Sequence, residues 1–547
     1  MRNAVHVRVV VAGVVALAMV GLGLTLALRT PRGDRDIRDT AAAWDARAAR
    51  HLFNRAGFGA TSAEIAAAVA AGRERTVEDL LASDAGREAL YAEPRPLTRH
   101  AVLLPLAGDA DPDARRVVVD RRRRQFAEGL EAYETWWMSH LLAADDPLRD
   151  RMTLFWHGLI PSNKYTVRYG LEMIEQHQML REHALGSFRA ILRGMARDGA
   201  MLSYLDNDTN VRKHPNENWA RELMELFALG EGHYTEQDVQ EAARAFTGWG
   251  KENHRFVFHE SEHDDGAKTV LGVSGRLDGD DVIEIILGQP ACADYLAGRL
   301  LAFFEGAPPD AARRAEYAEI LRAGDYELKP FLRKLLLDPR FYRDDIVGQR
   351  VAGPIDYLVG TARRLQLGVP EPLLLAGGAV LGQQLFAPPS VKGWDGDMAW
   401  ISTSSVLQRS NLAGVLLGQV TADDLRDPVA PGMIAENKTR AALAGYDAIR
   451  AIQHSGWTPD LDLAGWLGAR GARGAHADAG IVATLLGELL AVPPADDLRP
   501  PLVELLRAER ERLGVADGHL LDDPPSAEPV LRRVAFVILS LPEAQLN

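Results

Sequence analysis

Hydrophobic and polar positions along this chain recur mostly with the period of an α-helix. From Arg115 to Leu142 the apolar side chains return every three to eight residues, which predicts one long amphipathic helix. Thr61 and Thr76 each stand three residues before an acidic side chain, a pattern that predicts two helix N-termini with capping boxes. An apolar stripe from Trp219 to Phe227 predicts a helix over Asn216 to Gly230, where the glycine suits a left-handed C-terminal stop. The fold class that follows is mainly α, with one large helical body.

Strand patterns are short and few. Phe256 to Phe258 and Thr269 to Gly272 flank an acidic, glycine-containing stretch and predict a small β-hairpin insertion near residues 256–272. Before this insertion, Thr235 to Asp238 forms another capping box, so a helix is expected to begin there.

The N-terminus contains a long apolar run. Val9 to Leu28 carries no charge, and twenty helical residues match the hydrocarbon thickness of a bilayer. We expect an uncleaved N-terminal transmembrane helix; a cleaved signal peptide is the alternative, and the protein would then be secreted. The expected location is the cell membrane, crossed once, with the body outside the cytoplasm. The flanking arginines, from Arg2 to Arg38, favour the opposite orientation when counted by the positive-inside rule.

These patterns divide the chain into five parts. The predicted parts are an N-terminal flank (1–8), the anchor or signal (9–28), a linker (29–40), a helical domain (41–411) and a C-terminal helical extension packed on that domain (412–547).

Charge and cysteine content exclude several classes of protein. The 62 basic and 76 acidic residues give a formal net charge of -14, which disfavours a phosphate-backbone partner, so we expect no nucleic-acid binding. The single cysteine, Cys292, excludes an intramolecular disulfide framework and a cysteine-built zinc site.

The helix predicted over Asn216 to Gly230 has an unusual polar face. Glu217, Arg221 and Glu225 follow one another at intervals of four residues, and Glu222 lies on the adjoining row. Two interpretations stay open, a solvated ladder of ion pairs and a functional face.

Short blocks with distinctive residues occur in order along the chain. They are HLFNRAGFGAT from His51, WHGLI after Phe155, REHALGSFRAIL from Arg181, AMLSYLDN from Ala200, PNENWARELMELFALGEGHYTEQDV from Pro215, ARAFTGW from Ala243, HDDGAKTVLG from His263 and PPSVKGWDGDMAWIS from Pro388. Over His51 to Asn411 they resemble the bacterial domain-of-unknown-function 1800 family. The resemblance implies a mainly helical, secreted or membrane-attached bacterial protein, often encoded beside a sulfatase-like partner protein. It implies no activity.

The loop after the AMLSYLDN block has the oxygen spacing of a calcium site. Asp206, Asp208 and Asn210 occupy positions 1, 3 and 5 of an EF-hand-like loop, and Glu217 occupies position 12. We therefore expect a divalent cation, with calcium favoured. Val211 stands where such loops have the glycine of the sharp turn, and a helix-capping loop rich in Asp and Asn is the alternative.

A literal HExxH motif follows the first strand pattern. On a helix, His259 and His263 would share a face and bind zinc while Glu260 activates water, as in a zincin-type metalloprotease. The neighbouring residues favour a loop. In a loop, His263 and Asp264 with Lys268 are candidates for a proton-transfer site.

Two classes of function fit this membrane-anchored protein. One is a metal-assisted or acid/base hydrolase acting on an extracellular polymer, whose polar side chains would converge in one cleft. The other is a non-enzymatic structural or binding protein partnered with the sulfatase-like protein, and the zincin is a second alternative. The candidate catalytic residues are His183, Arg221, Glu222, His263, Asp264 and Lys268.

Overall fold

The computed structural model describes residues 43–82, 112–167, 169–421, 424–425, 436–470, 477–492 and 498–547. The anchor prediction for Val9 to Leu28 lies outside these residues. Among the helices within them, none combines the length and the apolar character needed to cross a bilayer.

The protein is mainly helical, as expected. In chain order the helices are α1 (Ala46–Ala56), α2 (Ser62–Ala71), α3 (Arg73–Leu81), α4 (Pro112–Ala143), α5 (Pro147–Leu159), α6 (Lys164–Val167), α7 (Gly170–Glu182), α8 (Phe188–Arg197), α9 (Gly199–Tyr204), α10 (Asn218–Glu222), α11 (Glu236–Ala245), α12 (Gly279–Leu287), α13 (Pro290–Glu305), α14 (Ala311–Ala323), α15 (Leu328–Leu337), α16 (Pro354–Leu365), α17 (Glu371–Val380), α18 (Thr403–Leu416), α19 (Glu436–His454), α20 (Leu463–Ala469), α21 (Asp478–Leu489), α22 (Arg499–Arg512) and α23 (Pro524–Leu539). The strands are β1 (Trp249–Glu252), β2 (Arg255–Phe258), β3 (Lys268–Val270) and β4 (Val273–Gly275).

The chain forms two compact units that interleave along the sequence. The first takes its residues from Met1–Thr76, Asp338–Gln384 and Gly396–Asn547, and the second from Val77–Leu337 and Leu385–Asp395. The sequence-based division into 41–411 and 412–547 does not follow these units, because the first unit contains residues from both ranges.

In the first unit, helices distant in sequence pack together. Helix α17 packs along α19, and α23 packs against α20, α21 and α22. The last residues join an earlier segment by backbone hydrogen bonds: the amide of Ala352 donates to Gln545 at 2.8 Å, and that of Asn547 donates to Arg350 at 2.9 Å. The tail is therefore part of the folded core of this unit.

In the second unit, α7 packs against both α4 and α5. Gly158 at the end of α5 meets the segment from Leu385, since a Cβ on Gly393 would lie 1.9 Å from the carbonyl oxygen of Gly158. Beside them, Nε2 of His157 accepts a hydrogen bond from the Phe386 amide at 3.0 Å. The approach of Gly393 to Gly158 joins the WHGLI and PPSVKGWDGDMAWIS blocks of the sequence, and it requires glycine at position 393.

Two of the three predicted capping boxes are confirmed, at Thr61 and Thr235. The helix start predicted at Thr76 is wrong, because α3 begins at Arg73 and Thr76 lies inside it. The Thr76 hydroxyl donates instead to the carbonyl oxygen of Gly72 at 2.8 Å. The preceding helix ends at Gly72, whose φ of 88° separates the two helices.

The helix predicted over Asn216 to Gly230 is present in a modified form. An α-helical turn, α10, continues into a π-helical segment over Leu223–Ala228, and Gly230 follows with a φ of 82°. The glycine stop is as predicted, whereas the π-helical turn carries no signal in the sequence pattern.

The single predicted β-hairpin is instead two separate hairpins. Strand β2 pairs with β1, and β3 pairs with β4, both antiparallel. Each pair is closed by a two-residue turn with positive φ at both positions, Asn253–His254 in one and Leu271–Gly272 in the other. Such short turns match the twist of the strands, so each strand pairs with its nearest neighbour in sequence rather than across the acidic stretch.

Candidate acid–base site

A β-hairpin turn carries the histidine at the centre of this site. In the β1–β2 hairpin, Glu252 lies opposite Arg255, which leaves Asn253 and His254 as the turn. Their φ angles are 49° and 66°. The left-handed conformation costs a non-glycine residue about 1–2 kcal/mol, so contacts elsewhere must hold His254 in place.

Glu172 makes the main polar contact with His254. It lies in the first turn of α7 with its side chain fully buried, and its Oε1 is 2.8 Å from Nδ1 of His254. Because a carboxylate only accepts hydrogen bonds, Nδ1 carries the proton and the lone pair is left on Nε2. Nε2 has no partner among the described residues and is not a buried atom, so it faces solvent.

Lys251 balances the charge of this buried carboxylate. Its Nζ is 2.7 Å from the same Oε1 of Glu172 and 3.0 Å from the carbonyl oxygen of Gly199, and it also donates to Oγ of Ser203. The second carboxylate oxygen, Oε2, is buried and accepts no hydrogen bond from the described residues. The ammonium group therefore makes the ion pair that offsets burial of the charge.

Gly199 allows the hairpin turn and α7 to approach each other closely. A Cβ at this position would lie 3.0 Å from the carbonyl oxygen of His254 and 3.3 Å from Cγ of Glu172. A larger residue would push the two partners of the dyad apart.

Two more carboxyl groups surround the dyad. Burial raises the pKa of Asp198 to about 7, and the charges of Glu172 and Glu175 add to this effect. Burial also raises the pKa of Asp208, while the charge of Lys251 opposes the shift. The surroundings of Glu172 and His254 thus disfavour ionisation of Asp198 and Asp208. Raised carboxyl pKa values of this kind are common in sites of proton transfer.

The arrangement can perform one clear chemical task. A histidine whose Nδ1–H is held by a buried carboxylate can take a proton at Nε2, and the carboxylate stabilises the imidazolium that results. With Nε2 open to solvent, the proton can come from a water molecule or from a bound molecule.

Of the two catalytic candidates on the polar helix face, Arg221 takes part in ion pairs. Arg221 contacts Glu217 at 2.8 Å and Glu236 at 2.5 Å. These ion pairs agree with the interpretation of this face as a ladder of ion pairs. Glu222 is half-buried; burial raises its pKa, the charge of Glu225 adds to the shift, and Arg221 and Lys392 oppose it.

His263, Asp264 and Lys268 lie together, in a loop held by hydrogen bonds. Nδ1 of His263 is 2.8 Å from the carbonyl oxygen of Thr247, and Asp264 accepts two hydrogen bonds from Arg244. Lys268 is buried, and its Nζ donates to three carbonyl oxygens, those of Asp264, Gly266 and Leu277. These contacts stabilise the fold of the loop. The polar groups of Asp264 and Lys268 are used in them.

The structure does not bring the sequence-derived candidates into one cleft. No hydrogen bond or electrostatic interaction joins Glu222 to His263 within the described residues, and the half-buried imidazole of His183 has no partner there. His263 lies against Phe258, at the opposite end of the hairpin from His254. The four residues of β2 that separate them correspond to roughly 13 Å.

In the loop proposed for calcium, Asn210 and Glu217 make contacts with other protein groups. The Asn210 amide group donates to Oδ1 of Asn207 at 3.1 Å and to the carbonyl oxygen of Ala243 at 2.9 Å, and its oxygen accepts from Asn216. Asp206 precedes a short 3-10 turn, Asn207–Thr209, and Asp208 lies within it. Calcium binding here stays a prediction, and it would require Glu217 to leave its ion pair with Arg221.

The zincin alternative is not supported by the local structure. Residues Glu260–Glu262 form a single 3-10 turn instead of a helix, so His259 and His263 do not share a helical face. Across the described part of the chain, no three His, Cys, Asp or Glu side chains are placed to hold a metal ion together.

Glu172, Lys251 and His254 were not among the sequence-derived candidates. Glu172 and His254 are far apart in the chain, separated by 82 positions. One local signal was available: an Asn-His pair occupies a two-residue turn in which glycine is favoured at the second position. A histidine kept in that conformation is a reason to look for a functional constraint.

Fold and site together define a mainly helical protein with a histidine–carboxylate dyad at a hairpin turn. The chain belongs to the family described as "Protein of unknown function (DUF1800)", whose profile matches residues 51–546. This confirms the resemblance seen in the sequence blocks, and the match extends beyond Asn411. Comparison with curated proteins and with solved structures finds no match.

Proposed function

We propose that this chain is an extracytoplasmic hydrolase that acts on an extracellular polymer by acid–base catalysis. His254 is the base, and Glu172 is the residue that positions it. The observation that carries the proposal is the 2.8 Å contact between Nδ1 of His254 and the buried Oε1 of Glu172, which leaves Nε2 open to solvent.

The proposed reaction uses one proton transfer in each direction. Nε2 of His254 takes a proton from a water molecule while the water oxygen bonds to the carbonyl carbon of an ester group on the polymer, which gives a tetrahedral intermediate. The bond between that carbon and the leaving oxygen then breaks, and the imidazolium returns the proton to this oxygen. Glu172 keeps the imidazole in the required tautomer throughout.

A second candidate function is a structural or binding protein that associates with a sulfatase-like partner. The observation that favours it is the engagement of the earlier candidates in structural contacts. Arg221 lies in an ion-pair ladder, and Lys268 holds the carbonyl oxygens of its own loop. Such contacts stabilise a surface without performing chemistry.

The location outside the cytoplasm rests on the apolar run from Val9 to Leu28. A reporter that is active only outside the cytoplasm, fused after Asn547, is expected to be active in cells. Activity of a matched reporter that works only in the cytoplasm would contradict the proposed topology.

The proposed chemistry is tested with a panel of p-nitrophenyl esters that differ in the length of the acyl chain. The wild-type protein is expected to hydrolyse at least one of them, and His254→Ala is expected to lower that rate by about 100-fold or more, because a general base is removed. Added imidazole is expected to restore part of the rate in His254→Ala, since the emptied position faces solvent.

The matched control is His214→Ala, which removes an exposed histidine. It is expected to keep the wild-type rate. Absence of hydrolysis across the panel, or a rate in His254→Ala equal to that of the wild type, would favour the structural role.

A further inference from the structure

An exposed tyrosine lies directly beside the histidine of the dyad. The ring centroid of Tyr169 is 4.4 Å from that of His254, with the two planes tilted by 57°. The Tyr169 side chain is 40% exposed, although aromatic residues of this size are usually covered. Its hydroxyl makes no hydrogen bond within the described residues, so both the ring and its polar end are available to a ligand.

The position of Tyr169 is set by close packing beneath it. The ring meets Phe126 of α4 edge-on, with centroids 5.5 Å apart and planes at 84°, and Phe126 is buried. The next residue, Gly170, allows this approach, because a Cβ there would lie 2.4 Å from the carbonyl oxygen of Phe126. The tyrosine is thus an exposed ring on a rigid support.

A second exposed tyrosine lies on the same segment. Tyr165 of α6 is 56% exposed, and the ammonium group of Lys164 lies 5.8 Å from its ring. Lys164 in turn forms an ion pair with Glu134, so the local charges are balanced. Tyr169 and Tyr165 are therefore two exposed phenol rings within four residues of each other along the chain, and Tyr169 lies beside the dyad without a strong excess of charge.

We propose that Tyr169 is a binding subsite for a sugar ring of a polysaccharide chain. The inference rests on the proposed function and names its substrate class. The C–H face of a pyranose ring packs on an aromatic face, and its hydroxyl groups form hydrogen bonds with a phenol hydroxyl and an imidazole. A sugar stacked on Tyr169 places its substituents next to Nε2 of His254.

Charge argues against the other ligands that stack on tyrosine. Single-stranded nucleic acid stacks on aromatic rings in basic grooves, whereas this chain has a net charge of -14 and a locally balanced surface. A purely apolar ligand would leave the Tyr169 hydroxyl and His254 without hydrogen-bond partners. A polyhydroxylated ring satisfies both groups.

The test is calorimetric titration of the full wild-type chain with sugars that carry no ester group, so that no turnover occurs and His254 stays in place. The probes are hexasaccharides of β-1,4-linked glucose, of β-1,4-linked N-acetylglucosamine and of galacturonic acid. At least one is expected to bind, and Tyr169→Ala is expected to weaken that binding about 10-fold or more, since a stacking face is lost. Tyr169→Phe is expected to stay within about 3-fold of the parent, because the ring remains.

Phe258→Ala is the matched control, since this exposed aromatic residue lies at the far end of the same hairpin. It is expected to bind as the parent does. Binding of none of the three sugars, or equal binding in Tyr169→Ala, overturns the inference.

The two proposals fail in different ways. Tyr169-dependent sugar binding without hydrolysis of any p-nitrophenyl ester by the wild-type protein supports the subsite and contradicts the hydrolase. Hydrolysis that depends on His254, with no sugar bound at Tyr169, supports the hydrolase and overturns the polysaccharide. The identity of the hexasaccharide that binds shows whether the polysaccharide is neutral or acidic.

Discussion

Glu172→Ala is expected to weaken both the fold and the activity, and Glu172→Gln is expected to lower the activity with a smaller loss of stability. The alanine variant leaves the Lys251 ammonium group without its carboxylate, in a position where only 14% of the side chain is exposed. Removing one partner of a buried ion pair leaves an uncompensated charge, so a loss of about 3 kcal/mol in the free energy of unfolding is expected. Urea denaturation measures this loss.

Glutamine preserves the shape of the side chain but changes the tautomer that it selects. Its amide group can donate to Nδ1 of His254, which moves the imidazole proton to Nε2 and removes the lone pair from the catalytic position. A decrease in kcat on the order of 100-fold is therefore expected, with KM nearly unchanged because Glu172 is buried away from the substrate. Glu182→Gln, at the exposed end of the same helix, is the matched control.

The variant Glu172→Asp distinguishes a positioning role of Glu172 from a general loss of structure. Glu172→Asp keeps a carboxylate and is expected to regain part of the kcat that Glu172→Gln loses. Wild-type kcat in Glu172→Gln would show that His254 acts without this partner.

Asp150→Ala is expected to lower the free energy of unfolding by about 3–5 kcal/mol. Asp150 in α5 is fully buried and pairs with Arg181 of α7, so this ion pair joins two helices of the second unit. Without the carboxylate, the Arg181 guanidinium remains buried and loses this ion pair. Denaturation at pH 7 measures the effect, and Asp145→Ala, at an exposed neighbour, is expected to stay within about 0.5 kcal/mol of the wild type.

The contribution of Asp150 to the free energy of unfolding is also expected to depend on pH. Burial raises the pKa of Asp150 from its ordinary value of 3.8 to about 6, although the Arg181 charge opposes the shift. Between about pH 4 and pH 6 the folded protein therefore binds more protons at this group than the unfolded chain, and its stability falls as the pH rises. The advantage of the wild type over Asp150→Ala is expected to be larger at pH 4 than at pH 7. A loss below about 1 kcal/mol at both pH values would contradict a buried pair.

Local patterns predicted those elements that depend on neighbouring residues. The capping boxes at Thr61 and Thr235 and the glycine stop at Gly230 need only three or four adjacent positions, and they are present. The pairing of β2 was mispredicted because two strands compete for one partner, and the turn at Asn253 decides between them.

The dyad could not be predicted from the sequence in the same way. Glu172 and His254 meet only because Gly199 and Gly170 allow close helix packing, and neither glycine signals a distant contact in the sequence. Lys268 shows the converse, since it has the residue type of a catalytic group but is used to bind three carbonyl oxygens. Residue type alone does not distinguish these two uses.

The interleaved units also determine the order in which this chain can complete its fold. The first unit draws on three separate stretches, and its earliest helices must wait until residues beyond Asp338 have been synthesised before their partners exist. The second unit likewise closes only when the segment Leu385–Asp395 is available. A fragment that ends at Asn411 would expose the apolar surfaces that α19 to α23 cover, and such surfaces promote aggregation. In the cell, this places the greatest demand for protection by chaperones in the middle of synthesis.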